Sequence, residues 1–115
     1  MKIQHILKKE DFTEILLKGR KIHGEIVVVY ISPREDLRRK TVSVGVIISK
    51  RLASLAVKRN HLRRVIYAYF RGHESPSLKG RKIVVRLKSN VNKYGKKELS
   101  GRVREELRKL TRITA

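Results

Sequence analysis

Cysteine and tryptophan are absent from this 115-residue chain, proline occurs twice, and aromatic residues make up only 5% of it. Without cysteine there is no disulfide partner, no thiolate nucleophile and no Cys-ligated zinc, which suits a cytoplasmic setting. No run of roughly 18 apolar residues occurs, so no membrane-spanning helix is expected. Lys8, Lys9 and Glu10 interrupt any apolar region of a signal peptide. His5, His23, His61 and His73 stand singly, without the spacing of metal ligands, and Gly19 and Gly24 fit no phosphate-binding loop. Carboxylates are scarce, with 10 Asp plus Glu in all, and most fall in predicted helices and charged turns where capping and ion pairing account for them. Glu35–Asp36 is an adjacent pair with some scope to touch a metal, but two neighbours in a turn are a poor ligand set. These gaps argue against a self-contained nuclease or nucleotidase.

What is abundant is positive charge. Lys and Arg number 30, for a net charge of +20. Self-repulsion of that size is relieved by a polyanion, and nucleic acid is favoured over an anionic membrane. The chain is 40% hydrophobic, enough for a modest core in one domain.

The apolar pattern sets out the elements. Asp11-Phe12-Thr13-Glu14 has the form of a capping box with Asp11 as N-cap, opening a helix that stops at Gly19. Phe12, Ile15 and Leu16 share one face of it. Ile26 to Ile31 is a β-branched run that reads as a strand ending at Pro33, and Pro33 to Lys40 is a charged turn. Thr41 to Ser49 alternates, with Val42, Val44, Val46 and Ile48 on one side and Thr41, Ser43, Gly45 and Ser49 on the other, Ile47 being the exception. After a helix and a loop containing Gly72, Pro76 and Gly80, Lys82 to Leu87 is a further strand. A last helix runs from about Tyr94 to Leu110, with Leu99, Val103, Leu107 and Leu110 as its stripe. The order helix, strand, strand, helix, strand, helix is a small α/β layered structure.

Leu55 to Arg71 is the most informative segment. At about 100° per residue, Leu62, Val65, Ile66, Tyr69 and Phe70 form an apolar stripe. Asn60, Arg64, Tyr67 and Arg71 fall opposite, flanked by His61 and Arg63. The guanidinium fork makes paired hydrogen bonds to phosphate, and pairs four residues apart repeat at about 6 Å, near the phosphate spacing of one strand. Asn60 suits a base edge or a ribose hydroxyl. Lys50 and Arg51, in the turn leading to the helix, are the next candidates.

These residues resemble the protein subunit of bacterial ribonuclease P. That family carries a strand ending in Ser-Lys-(Lys/Arg), a short loop, then Ala-Val-x-Arg-Asn-Arg-x-(Lys/Arg)-Arg-x-x-Arg-Glu. Here the corresponding residues are Ser49-Lys50-Arg51 and Ala56-Val57-Lys58-Arg59-Asn60-His61-Leu62-Arg63-Arg64. Leu7-Lys8-Lys9, Asp11-Phe12, Leu16 and Gly19 match the N-terminal pattern, the strand containing Tyr30 and the segment Ile83-Val84-Val85-Arg86 match its strands, and the resemblance spans nearly the whole chain. His61 stands where arginine is usual, Tyr67-Ala68 replaces the later Arg-Glu, and Leu16 occupies a position that is commonly aromatic.

The resemblance implies an α+β sandwich like the second domain of ribosomal protein S5, with a left-handed βαβ crossover, itself an exception to the usual hand. It implies that the RNA subunit carries the chemistry, using Mg²⁺ to remove the 5′ leader of precursor tRNA. The protein binds the ribonuclease P RNA and holds the leader in a cleft. Carried onto this chain, it assigns RNA contacts to Lys58, Arg59, Asn60, His61, Arg63 and Arg64, with Lys50 and Arg51. Phe12, Leu16, Tyr30 and Arg86 become leader-binding residues, Phe12 and Tyr30 having core packing as the alternative. The rival readings are a ribosomal or general RNA-binding protein, a DNA-binding protein, for which a helix-turn-helix pair is lacking, and a nuclease acting without RNA.

Overall fold

Val27–Ile31 is buried at every position, a continuous apolar run of the kind expected for a strand covered on both faces. It lies inside a five-stranded mixed sheet in a computed structural model that describes residues 3–33, 41–72 and 76–112. Glu35–Asp36, with the rest of the charged turn beyond Pro33, and His73 and Glu74 lie outside the described residues. The elements are β1 (Ile3–His5), α1 (Lys9–Lys18), β2 (Arg20–His23), β3 (Val27–Ile31), β4 (Val42–Ile47), α2 (Ala56–Gly72), a 3-10 turn at Pro76–Leu78, β5 (Lys82–Leu87) and α3 (Lys96–Arg112). The sheet order is β1-β4-β5-β3-β2. β4 runs parallel to β1 and β5, while β3 is antiparallel to both β5 and β2.

The two sheet faces carry different covers. On one, Val42, Val44, Ile48, Val27, Val29, Ile31, Ile83, Val85 and Leu87 pack against Leu62, Val65, Ile66 and Phe70 of α2 and Leu99, Val103, Leu107 and Leu110 of α3. The alternation of β4 and both helical stripes therefore do what their periods predict. On the other face, Val28, Tyr30 and Val84 form a smaller cluster with Ile6 and Ile15, flanked by Phe12, Leu16 and Ile47. Ile47 breaks the alternation because it serves this second cluster.

Three expectations need correction. Asp11 is not an N-cap: α1 begins two residues earlier, with Lys8 extended and giving no side-chain cap. Asp11 sits in the first turn, where its carboxylate meets Lys82 Nζ at 3.5 Å. β1 and β2 carry no recognisable strand signal, since both are edges with one or two inward side chains each. Their exposed Gln4, His5, Arg20, Lys21 and His23 are the polar dressing that protects sheet edges. α3 begins at Lys96 and extends to Arg112, slightly later at both ends than its stripe indicates.

Two glycines permit close approaches. A Cβ on Gly45 would lie 2.5 Å from Phe12 Cε1, so its absence lets the Phe12 ring rest directly on β4. A Cβ on Gly24 would collide with the Glu106 carboxylate. That carboxylate accepts hydrogen bonds from the backbone N–H groups of Ile26 (2.8 Å) and Val27 (2.9 Å), pinning the β2–β3 turn to α3. Removing a carboxylate that satisfies two backbone donors is costly. Glu106→Ala is expected to lower unfolding free energy by about 1–3 kcal/mol in urea titrations. The exposed Glu105, paired with Arg108 at 3.2 Å, is expected to lose less than about 1 kcal/mol on the same change.

Candidate nucleic-acid interface

α2 is oriented by its apolar stripe, so its remaining sides are assigned by default. Asn60, Arg64 and Arg71 are exposed on the outward side, and Arg63 is half-buried beside them. Arg63 Nη1 lies 3.4 Å from Asn60 Oδ1, so these two side chains are already neighbours. Lys50 and Arg51 are exposed in the turn between β4 and α2. Together they make a polar, cationic strip with phosphate-binding donors at successive helical turns.

Three of the basic residues marked by the sequence do other work. Lys58 is buried, and its ammonium donates to the carbonyls of Val91 (3.1 Å), Asn92 (3.0 Å) and Tyr94 (2.7 Å). All three N–H bonds are thereby committed, and Lys58 has no donor left for a phosphate. Its assignment to the RNA contacts is corrected accordingly: it fastens the start of α2 to the loop before α3. Arg59 donates from one nitrogen to the carbonyls of Ala53 and Ser54, both at 2.9 Å, which holds the loop that enters the helix and leaves its other edge for a ligand. Asn92 Oδ1 accepts from Ser54 N at 2.9 Å, closing the same junction. His61 turns toward α3. The Ser100 hydroxyl donates to Lys96 O (2.8 Å), so His61 Nε2–H donates to Ser100 Oγ (2.6 Å). In this arrangement His61 acts as a helix-to-helix tie.

A second surface lies across the sheet. α1 is only 10 residues long and covers part of its face. Strand register places Gly45, Val84, Tyr30 and Lys21 in one row and Ile47, Arg86, Val28 and His23 in the next. Phe12 sits on the first row, and Phe12, Leu16, Ile47 and Arg86 are all half-exposed around the groove that results. Tyr30 is different. It is 3% exposed, its hydroxyl accepts from Arg86 Nε at 3.1 Å, and Lys21 Nζ lies 5.7 Å from its ring centre. Tyr30 therefore forms the floor and orients Arg86, in keeping with the core-packing alternative given for it. Lys21 is a groove residue that the sequence did not disclose, because β2 was not recognised as a strand.

Tyr67 also departs from a simple outward position. Its ring stacks on His5 of β1, with centroids 3.9 Å apart and planes within 10°. Burial pushes its phenol above the usual tyrosine range, with Arg63 opposing the shift, so the stacked ring is neutral at physiological pH. Among the described residues no group of three His, Asp or Glu side chains gathers to hold a metal ion, and no helix is long and apolar enough to cross a membrane.

The family model described as Ribonuclease P matches residues 1–111. This chain belongs to the ribonuclease P protein family. The ribonuclease P protein component of Ureaplasma parvum serovar 3 is 37% identical over 81 residues, covering 70% of this chain and 68% of that one. That of Pseudanabaena sp. is 29% identical over 102 residues, covering 89% and 86%. The solved Staphylococcus aureus RNase P protein superposes with a TM-score of 0.76 at 25% identity, over 95% of this chain and 93% of the other. The Thermotoga maritima RNase P protein shares the fold, with a TM-score of 0.72 at 24% identity over 95% and 96%. As a ribonuclease P protein, the chain is the polypeptide component of a ribonucleoprotein endoribonuclease that processes tRNA together with an RNA subunit.

The two classes of basic residue on α2 are separable by experiment. Lys58→Ala strands three carbonyls and is expected to cost about 2 kcal/mol or more of folding stability. Arg64→Ala is expected to leave stability unchanged, while weakening RNA binding and reducing the salt slope of log K by about 1. Denaturant titration and binding isotherms at several salt concentrations, run on both variants, make the comparison.

Proposed function

We propose that the outward strip of α2 grips the ribonuclease P RNA, and that the groove beside α1 holds the 5′ leader of precursor tRNA. Asn60, Arg63 and Arg64 make the RNA contacts, extended by Lys50, Arg51 and the open edge of Arg59. The observation that carries this reading is the division of α2, whose apolar side is sealed on the sheet while exposed guanidinium groups line the side facing away. Phosphate contacts of this kind position an RNA without reading its sequence.

The groove has the properties an unpaired leader needs. Phe12 and Leu16 supply apolar and aromatic surface for bases, while Arg86 and Lys21 supply charge for the backbone. Arg86 is held in place by the Tyr30 hydroxyl, so its guanidinium is pre-oriented before the leader arrives. Lys50 and Arg51 follow β4 just past Ile47, which itself lines the groove, so the chain carries positive charge from the leader site toward α2.

The protein acts as one domain, in the cytoplasm, and contributes binding while the RNA contributes the chemistry. Mg²⁺ bound by the RNA supplies the charge stabilisation for phosphodiester hydrolysis. The described carboxylates do not gather into a cage for it, and the protein's part is to neutralise phosphates and fix the position of the scissile end.

Reconstitution with a bacterial ribonuclease P RNA and a labelled precursor tRNA at low Mg²⁺ tests this reading. Added protein is expected to stimulate 5′ cleavage. Binding without stimulation would favour a general RNA-binding role. Phe12→Ala and Arg86→Ala are expected to weaken precursor tRNA by about 1–3 kcal/mol, with mature tRNA little affected. Equal losses for both tRNAs would remove the groove from leader recognition.

A further inference from the structure

The His5–Tyr67 stack joins the edge of the sheet to α2, with Tyr67 packed on one side against the main core and His5 exposed on the other. β1 is an edge strand among the described residues, with His5 in register with Val44 of β4. His5 is exposed, and its described ring contact is with Tyr67. Tyr67 is half-buried beneath it. A stack of two parallel rings 3.9 Å apart, ending in a ring turned to solvent, is a surface onto which a third flat ring can add at similar spacing.

The surroundings define the class of that third ring. Arg63, Arg64 and Arg71 stand four and three residues before Tyr67 and four after it, the positions that neighbour it on a helix surface. Arg71 Nε donates to the backbone carbonyl of Tyr67 at 3.4 Å, which holds that side chain one turn along the helix from the ring pair. Glu25, Glu105 and Glu106 lie by β2, at the far edge of the sheet, among His23, Arg102 and Lys109. An aromatic face set among guanidinium groups matches a nucleotide, which presents a π-face and flanking phosphates together. The recurring family pattern has arginine where this chain has Tyr67, so this chain has a ring at a position otherwise given to charge.

We propose that His5 and Tyr67 form a stacking platform for one unpaired RNA base, whose flanking phosphates lie on Arg63, Arg64 and Arg71. This rests on the reading of α2 as the RNA-binding helix and adds base stacking to it. The base belongs to the ribonuclease P RNA or to the tRNA precursor, and the experiment separates these sources.

Binding is measured for His5→Ala, His5→Trp, Tyr67→Phe and Arg64→Ala, first with the ribonuclease P RNA alone and then with precursor tRNA and the assembled enzyme. His5→Ala is expected to weaken binding roughly tenfold, as loss of one base stack does. Its thermal midpoint and salt slope are expected to match the parent, because an exposed edge residue without a phosphate contact has been removed. His5→Trp and Tyr67→Phe keep two stacked rings and are expected to bind as the parent or tighter. A loss seen with the RNA alone places the base in the ribonuclease P RNA, and a loss seen only with the assembled enzyme places it in the precursor. The platform is overturned if His5→Ala binds both RNAs within about twofold of the parent while Arg64→Ala is weakened. It is also overturned if His5→Ala lowers the thermal midpoint and His5→Trp fails to restore binding, since the stack would then be a clasp between β1 and α2. If Arg64→Ala and His5→Ala are both without effect, the reading of α2 itself fails.

Discussion

Burial of Leu62, Val65, Ile66 and Phe70 against the sheet is the contact on which the rest of the molecule depends. Phe70 and Leu62 are at most 1% exposed, and side chains packed that closely fix the rotation of a helix about its own axis. Once that rotation is fixed, Asn60, Arg64 and Arg71 are carried on the exposed side of the helix. In a chain of charge +20, such a row is held apart from other cations by a rigid backbone and is preorganised for a polyanion. The carbonyl trap around Lys58 and the paired carbonyls on Arg59 fix the start of the same helix. Some of the positive charge is thus spent on shaping the surface that the remainder presents.

The second consequence is the asymmetry of the sheet. Two 17-residue helices cover one face, and a 10-residue helix partly covers the other. Gly45 lets the Phe12 ring approach the strand closely, and Asp11 ties the first turn of α1 to Lys82. What remains uncovered is a groove with an apolar wall and a cationic rim, on the face away from α2. A single sheet thereby separates the two surfaces proposed to bind RNA, while the turn carrying Lys50 and Arg51 connects them.

Much of this was legible in the sequence, and what was not has identifiable causes. β4, β5, α2 and α3 bury residues at a regular period, and β3 is a continuous apolar run, so each declares itself. β1 and β2 do not, since a strand with one or two inward side chains has no period. The loss of β2 hid Lys21, and the loss of β1 hid the stack on Tyr67, because both depend on pairings between distant segments. Asp11 was misread for the same reason: its partner is 71 residues away. Lys58 and His61 show another limit. Residue type alone does not tell an inward cation from an outward one, yet Lys58 sits one turn before Leu62 and on the buried side of the helix. That placement is a signal that motif resemblance outweighed. Tyr30 combines both problems, since an aromatic residue suited to stacking is equally suited to a core floor.

The chain's lack of cysteine makes the central claim directly measurable. A single cysteine is placed at exposed Ala68 on the outer side of α2, or at exposed Glu25 in the β2–β3 turn at the far edge of the sheet. Each is tethered to an iron chelate that cleaves nearby RNA backbone, and each protein is assembled with the ribonuclease P RNA. Localised cleavage from position 68 and none from position 25 is the predicted result. Cleavage from position 25 with none from position 68 would contradict the account, because the RNA would then lie at the far edge of the sheet and away from the outer side of α2.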